Sequence, residues 1–179
     1  MKKRILLLIT ILLVVSVLTS CKKNQSIDNG TVPIPGVRVG DTAPNFTETD
    51  VFGNSFTLES FRGRVLMLNF STMWCSPCRA ETPELLEIYN TYKERGFEIV
   101  QCIYQDEDSY PTDQSDLNRW LSEYQVTYTL IGDPDRSTVE TYHFDAIPFN
   151  VIIDRNFVIQ YVRSGFDRYT VEQKIEELL

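Results

Sequence analysis

The sequence predicts an α/β fold with a mixed central sheet, helices on both faces and an N-terminal β-hairpin extension. An almost entirely apolar stretch at 65–70 is typical of a central strand buried on both faces. Apolar residues at helical spacing follow this stretch, and strands then alternate with helices as far as an antiparallel pair near the end. The 179 residues are 42% hydrophobic and 23% charged, which suits one globular domain with a full-sized core.

Each predicted element has its own signal. The hairpin extension is indicated by the turn Val51–Ser55 and the alternating residues after it. Leu85, Leu86, Tyr89 and Tyr92 share one helical stripe after the central strand, and Gly96 provides a stop. The predicted elements from there on are a helix over 76–95, a strand over 98–104, a helix over 116–124, a strand over 126–131, a helix over 137–142, a hairpin of 150–153 with 158–162, and a closing helix over 170–179.

The first twenty residues have the features of a secretory signal peptide. Lys2-Lys3-Arg4 precedes an apolar run from Ile5 to Leu18, which as a helix spans about 21 Å and falls short of the ~30 Å hydrocarbon core. Leu18-Thr19-Ser20-Cys21 resembles the bacterial lipobox, in which the cysteine is acylated and becomes the mature N-terminus. A plain signal peptide and an uncleaved anchor are the alternatives. Under each of them the remaining chain is expected outside the cytoplasm.

These features divide the chain into a signal peptide at 1–20, an acylated Cys21 with a polar tether at 21–37, and a folded domain at 38–179. The net charge is −8, and without Lys2-Lys3-Arg4 the basic residues fall from 17 to 14 against 25 acids, giving −11. Such a surface repels phosphate backbones, so we expect no nucleic-acid partner. One histidine and four cysteines favour neither a metal cluster nor a disulfide-stapled miniprotein, and no cofactor is expected.

The motif that carries chemistry is Trp74-Cys75-Ser76-Pro77-Cys78, at the point where the central strand gives way to a helix. A spacing of three brings both sulfurs to the same side of the first turn, close enough to form a disulfide. The first cysteine faces free N–H groups at the positive end of the helix, which favours the thiolate. We therefore predict that Cys75 attacks and that Cys78 resolves the mixed disulfide. Trp74 is expected to shield the pair and to contact partners.

In this context the motif resembles thioredoxin-fold thiol–disulfide oxidoreductases, most closely their membrane-tethered TlpA/ResA-like branch. The resemblance covers about Val37–Leu179. It is carried by the opening at 39–46, by Gly53, by Phe61-Arg62-Gly63, by Pro83 as the kink proline of the active-site helix, and by Ala146-Ile147-Pro148 with the strand after it.

The resemblance implies roles for residues around the cysteines. Pro148 is expected in the cis-proline loop, where Ile147 presents its backbone to an extended substrate; a trans peptide at an edge strand is the alternative. Glu81 stands where this branch has a glutamate that tunes the pair, and a partly buried Glu81 would relay the proton of Cys78. A solvated surface glutamate is the alternative. Asn69 replaces the buried aspartate of thioredoxin itself.

The predicted function is an extracytoplasmic thiol–disulfide oxidoreductase that reduces protein disulfides. The resemblance implies substrates such as apocytochrome c cysteines and a membrane thiol donor such as a CcdA/DsbD-like transporter, and we expect a monomer. A thiol oxidase or isomerase would use the same motif. A peroxiredoxin is a rival because Thr72 precedes Cys75 by three, although Leu68 stands where that family has proline. Weaker rivals are a metal-binding module and a tethered scaffold with a structural disulfide. Cys102 is predicted in the core and His143 on the surface.

Overall fold

The computed structural model describes residues 36–179, which contain one seven-stranded mixed sheet with helices packed on both of its faces. The strands are β1 (Thr47–Asp50), β2 (Ser55–Thr57), β3 (Val65–Ser71), β4 (Phe97–Ile103), β5 (Thr129–Gly132), β6 (Phe149–Ile153) and β7 (Ile159–Ser164). The α-helices are α1 (Ser76–Tyr92), α2 (Gln114–Tyr124), α3 (Ser137–Tyr142) and α4 (Arg168–Leu178), and short 3-10 turns lie at Leu58–Phe61 and Lys93–Arg95. The predicted signal peptide, Cys21 and nearly all of the predicted tether lie outside the described residues.

The order of strands across the sheet is β2-β1-β5-β4-β3-β6-β7. β3 pairs with β4 in parallel and with β6 antiparallel, so β3 is an interior strand, and all seven of its residues are buried. This burial on both faces explains why its sequence is almost continuously apolar. The predicted α/β class, the mixed sheet and the N-terminal hairpin, formed by β1 and β2, are confirmed.

Alternate residues of β3 enter two separate cores. Val65 and Met67 pack with α1, α2 and α4 on one face. Leu66, Leu68 and Phe70 pack on the other face with α3 and with aromatic residues of the N-terminal segment. Because side chains alternate along a strand, Asn69 and Ser71 fall on the α1 face, directly below the start of that helix. Among residues 36–179 we find no helix with the length and apolarity needed to span a bilayer.

Several element boundaries differ from the sequence prediction by one to three residues, and those of α2 and β5 have a local cause. α2 begins at Gln114, two residues earlier than predicted, because Asp113 accepts hydrogen bonds from the backbone N–H groups of Ser115 and Asp116 while Asp116 caps the Asp113 N–H in return. β5 covers 129–132 instead of 126–131. The chain leaves α2 through Gln125 in the left-handed region, and Val126 and Tyr128 enter the core before strand pairing starts at Thr129.

Candidate active site

The Trp74–Cys78 motif lies at the amino end of α1, immediately beyond the carboxyl end of β3. Cys75 and Cys78 form a disulfide, with their Cα atoms 5.3 Å apart. Cys75 is the N-cap residue of α1, and its Sγ accepts a hydrogen bond from the backbone N–H of Cys78 at 3.2 Å. The free N–H groups and the positive end of a 17-residue helix therefore face this sulfur, an environment that stabilises a thiolate.

The two cysteines differ in their access to solvent. Cys75 is 4% exposed and Cys78 is fully buried, so an incoming disulfide can reach only the first sulfur. Trp74 is 47% exposed beside Cys75, and its indole N–H donates to the Gln105 side chain at 3.1 Å. This hydrogen bond fixes an exposed aromatic ring next to the reactive pair.

A cleft of about 450 Å³ opens over the disulfide. One wall is the Trp74–Pro77 segment, and the opposite wall is the loop before β6, where the Ile147–Pro148 peptide bond is cis. The cleft is lined by Trp74, Cys75, Ser76, Pro77, Tyr104, Arg136, Val139, Phe144, Asp145, Ala146 and Ile147. Within residues 36–179 no hydrogen bond involves the backbone of Ile147, which leaves its polar groups open to the cleft.

Glu81 is buried, which excludes the solvated alternative. Its side chain is 2% exposed and points from α1 toward the sheet. The Asn69 amide nitrogen donates to Glu81 Oε1 at 2.6 Å, whereas Oε2 is buried without a partner among the described residues. Burial raises the pKa of the Glu81 carboxyl to about 8, so the group exchanges a proton near neutral pH.

Two polar residues of this site were not predicted from the sequence. Gln101 in β4 and Asn150 in β6 pair with Asn69 in register, one on each side, and both are fully buried. The available signal was a polar residue in the middle of an apolar strand. Such a residue is tolerated in the core only where other groups form hydrogen bonds with it.

Outside the cleft, three carboxylates converge in the described residues, those of Glu48, Asp133 and Asp135, with ligand atoms within 4.8 Å of one another. Local hydrogen bonds account for this group: Thr138 donates its hydroxyl to Glu48 at 2.6 Å, and the Val139 N–H donates to Asp133 at 2.8 Å. Burial raises the pKa of Glu48 to about 7, which lowers the charge of the cluster.

Within residues 36–179, the third cysteine and the histidine lie where they were predicted from the sequence. Cys102 is a buried free thiol in β4, and burial raises its pKa well above the usual range, which keeps it a neutral thiol. His143 is exposed at the end of α3.

Residues 39–162, more than two thirds of the chain, match the model of the AhpC/TSA family. The chain belongs to that family. Among its relatives is the thiol-disulfide oxidoreductase ResA of Oceanobacillus iheyensis, 30% identical over 161 residues that cover 88% of this chain and 78% of that protein. ResA of Bacillus thuringiensis subsp. konkukian is 29% identical over 79% of each chain.

The fold comparison agrees with the sequence relatives. The thioredoxin domain of a thiol-disulfide oxidoreductase from Bacteroides vulgatus superposes with a TM-score of 0.67 at 27% identity, covering 78% of this chain and 99% of that one. This member of the family is therefore a thioredoxin-fold thiol–disulfide oxidoreductase of the ResA type, with the Cys75–Cys78 pair as its CxxC motif. This activity implies protein substrates.

Proposed function

We propose that this oxidoreductase is a lipid-anchored, extracytoplasmic reductant of protein disulfides. The observation that carries the thiol-exchange part of the proposal is the position of the pair: Cys75 lies at the amino end of α1, open to the cleft, while Cys78 is buried beneath it. The lipobox-like segment that ends at Cys21 supports the anchor. One thiolate is thus available for attack, and one thiol is held back for the second step.

The reaction moves two electrons from the dithiol to the substrate. In the reduced protein the Cys75 thiolate attacks one sulfur of the substrate disulfide, which forms a mixed disulfide and releases one substrate thiolate. Cys78 then gives its proton to Glu81, and the resulting thiolate attacks Cys75 Sγ. The second substrate thiolate leaves and is protonated, and the Cys75–Cys78 disulfide remains. A membrane dithiol donor of the CcdA/DsbD type returns the pair to the reduced form.

The cleft supports docking of an extended substrate. The backbone of Ile147, free of hydrogen bonds within residues 36–179, can pair with a substrate strand beside Pro148. Trp74 offers an exposed ring on the opposite wall. A partly unfolded segment with two oxidised cysteines fits such a cleft, and the cysteines of an apocytochrome c are of this kind.

The reduction potential of the Cys75–Cys78 pair tests the direction of electron flow. The full chain is equilibrated in glutathione buffers, and the reduced fraction is counted by alkylation of the two thiols. We expect a value near that of thioredoxin, about −270 mV. A value near about −120 mV would make the protein an oxidant and contradict the proposed direction. Failure of the pair to cycle reversibly would refute thiol exchange.

The proposed anchor depends on Cys21, in the lipobox-like segment Leu18-Thr19-Ser20-Cys21. Replacing Cys21 by serine is expected to prevent acylation and to move the protein from the membrane fraction to the soluble extracytoplasmic fraction. Cys102→Ser is the matched control, because a buried thiol is not a lipidation site. Incorporation of labelled palmitate reports the modification itself. Continued labelling of Cys21→Ser, or the absence of labelling in the unaltered chain, would contradict the anchor.

Peroxide reduction is the second candidate function. It is favoured by Thr72, three residues before Cys75, whose hydroxyl is buried without a partner in the described chain. The Cys75–Cys78 disulfide favours thiol exchange instead, because a resolving cysteine three residues away can complete exchange with a substrate disulfide. Consumption of hydrogen peroxide at a rate comparable with disulfide exchange would support the second candidate.

A further inference from the structure

Three buried carboxamide side chains form a row across the sheet under the active site. Asn69 is in register with Gln101 on one side and with Asn150 on the other, and all three are fully buried on the α1 face. Gln101 Nε2 donates to Asn69 Oδ1 at 2.9 Å, and Asn69 Nδ2 donates to Asn150 Oδ1, also at 2.9 Å. Because each carboxamide has a donor end and an acceptor end, such a row has a direction.

The direction of Gln101 is fixed by its neighbours. The Trp120 indole nitrogen can only donate, and it lies 3.0 Å from Gln101 Oε1, so this atom of Gln101 must be the carbonyl oxygen. On the other side Thr82 gives its hydroxyl proton to the Cys78 carbonyl at 2.9 Å. Thr82 Oγ1 can therefore only accept from Gln101, which it does at 3.1 Å. Both neighbours place the amide nitrogen of Gln101 toward Asn69.

The same direction continues to the far end of the row. Asn69 Oδ1 accepts from Gln101 and from the Ser71 hydroxyl, at 2.8 Å in the latter case. Asn150 Nδ2 donates to the carbonyl of Gly165 at 3.1 Å, which turns Asn150 Oδ1 toward Asn69. The amide nitrogen of Asn69 is thus left to face Asn150 and the Glu81 carboxyl.

We propose that Gln101 is a positioning residue for Glu81: it holds Asn69 with its amide nitrogen on Glu81 Oε1, which reserves Oε2 for the proton exchanged with Cys78. The geometry agrees, since both hydrogens of Asn69 Nδ2 are used and Oε2 is the oxygen without a partner among the described residues. This inference rests on the proton-relay role of Glu81 in the proposed function.

Hydrogen bonding stabilises the carboxylate form of Glu81 and opposes the effect of burial, through the Asn69 donor at 2.6 Å and through the neighbouring Asn150 side chain. The titratable groups that face Glu81 are Cys78 and Glu84 on α1, Tyr128 before β5 and Tyr161 on β7. None of them is a cation that could replace the hydrogen bond. Loss of the Asn69 donor should therefore raise the pKa of Glu81.

The test is Gln101→Met, which preserves the length of the side chain but can neither donate nor fix Asn69. Glu81 is titrated in the oxidised full chain by NMR of ¹³C-carboxyl-labelled glutamate, and its signal is assigned by comparison with Glu81→Gln. We expect the Glu81 midpoint to rise by about one pH unit, a tenfold increase in proton affinity. Should Gln101→Met fail to fold, Ser71→Ala removes the other donor to Asn69 Oδ1, and we expect an increase of about half a unit.

Tyr128→Phe is the matched control. It removes a buried hydrogen bond of similar length to Gln101 Oε1, at 3.0 Å, but Trp120 still fixes the carboxamide, so the Glu81 midpoint should stay within about 0.3 units. An unchanged midpoint in the folded Gln101→Met chain, or a shift equal to that of Tyr128→Phe, would overturn the inference. If Gln101→Met shifts the Glu81 titration midpoint but leaves the pH profile of disulfide exchange unaltered, Gln101 is supported as the positioning residue. The proposed relay role of Glu81 would then be contradicted.

Discussion

Replacing Cys78 by serine is expected to end multiple turnover and to leave the substrate attached to Cys75. The variant keeps the attacking sulfur at the amino end of α1, but serine cannot attack the mixed disulfide. Turnover should fall on the order of 10³-fold or more, because the two cysteines act as one unit. Non-reducing electrophoresis of the variant with an oxidised protein substrate should show a covalent adduct that dithiothreitol releases.

Two controls define this result. Cys75→Ser removes the nucleophile and should form no adduct, since Cys78 is fully buried and out of reach of the substrate. Cys102→Ala removes the remaining described cysteine, and turnover should stay within about twofold because that thiol is buried and neutral. An adduct formed equally well by Cys75→Ser would reverse the assigned roles of the two active-site cysteines.

Replacing Glu81 by glutamine is expected to slow the resolving step about 10²-fold near neutral pH, the usual contribution of one general base. In the proposed relay the Glu81 carboxylate accepts the proton of Cys78, and burial raises the pKa of Glu81 to about 8, so the unaltered rate should rise with pH through that value. Glutamine cannot accept the proton, and this rise should disappear. At still higher pH the difference should shrink, because Cys78 then ionises without help.

The same substitution should change how stability depends on pH. The pKa of Glu81 is about 8 in the folded chain against 4.5 for an ordinary glutamate, so the folded state binds the extra proton between these values. The free energy of unfolding therefore decreases as pH rises from about 4.5 to about 8. Glu81 contributes up to about 5 kcal/mol to this decrease. Glu81→Gln should lack that decrease. Glu48, whose pKa is about 7, contributes equally to both proteins and cancels in the comparison.

The measurements are stopped-flow kinetics of mixed-disulfide resolution and urea unfolding of the oxidised chain, each between pH 5 and pH 9. Glu94→Gln is the matched control, since Glu94 is exposed just after the end of α1 and should alter neither profile. If Glu81→Gln kept the unaltered dependence of the resolving rate on pH, another group would be the proton acceptor. A pH-independent difference in stability would show that Glu81 does not titrate in this range.

Local patterns predicted most of the fold because they depend on neighbouring residues. The apolar residues at 65–70 can all be buried only in a strand that is covered on both faces, and β3 is such a strand. The prediction failed at boundaries set by a capping box and by a left-handed turn. Asp113 and Asp116 start α2 two residues before the predicted start at 116, and Gln125 turns the chain so that Val126 enters the core outside any strand.

The sequence by itself determined the chemistry of this protein: a pair of cysteines three residues apart, where a buried strand meets a helix, specifies a disulfide that exchanges with others. Only the tertiary structure decided where Glu81, the proposed acceptor of the Cys78 proton, lies. Glu81 could have faced solvent, and its burial depends on β3 and β6 packing beneath α1. Likewise, Gln101 and Asn69 are 32 residues apart in the chain and meet through strand register. Burial and register are set by the whole fold, because a polar side chain is excluded from solvent and held in one orientation only when segments distant in sequence pack around it.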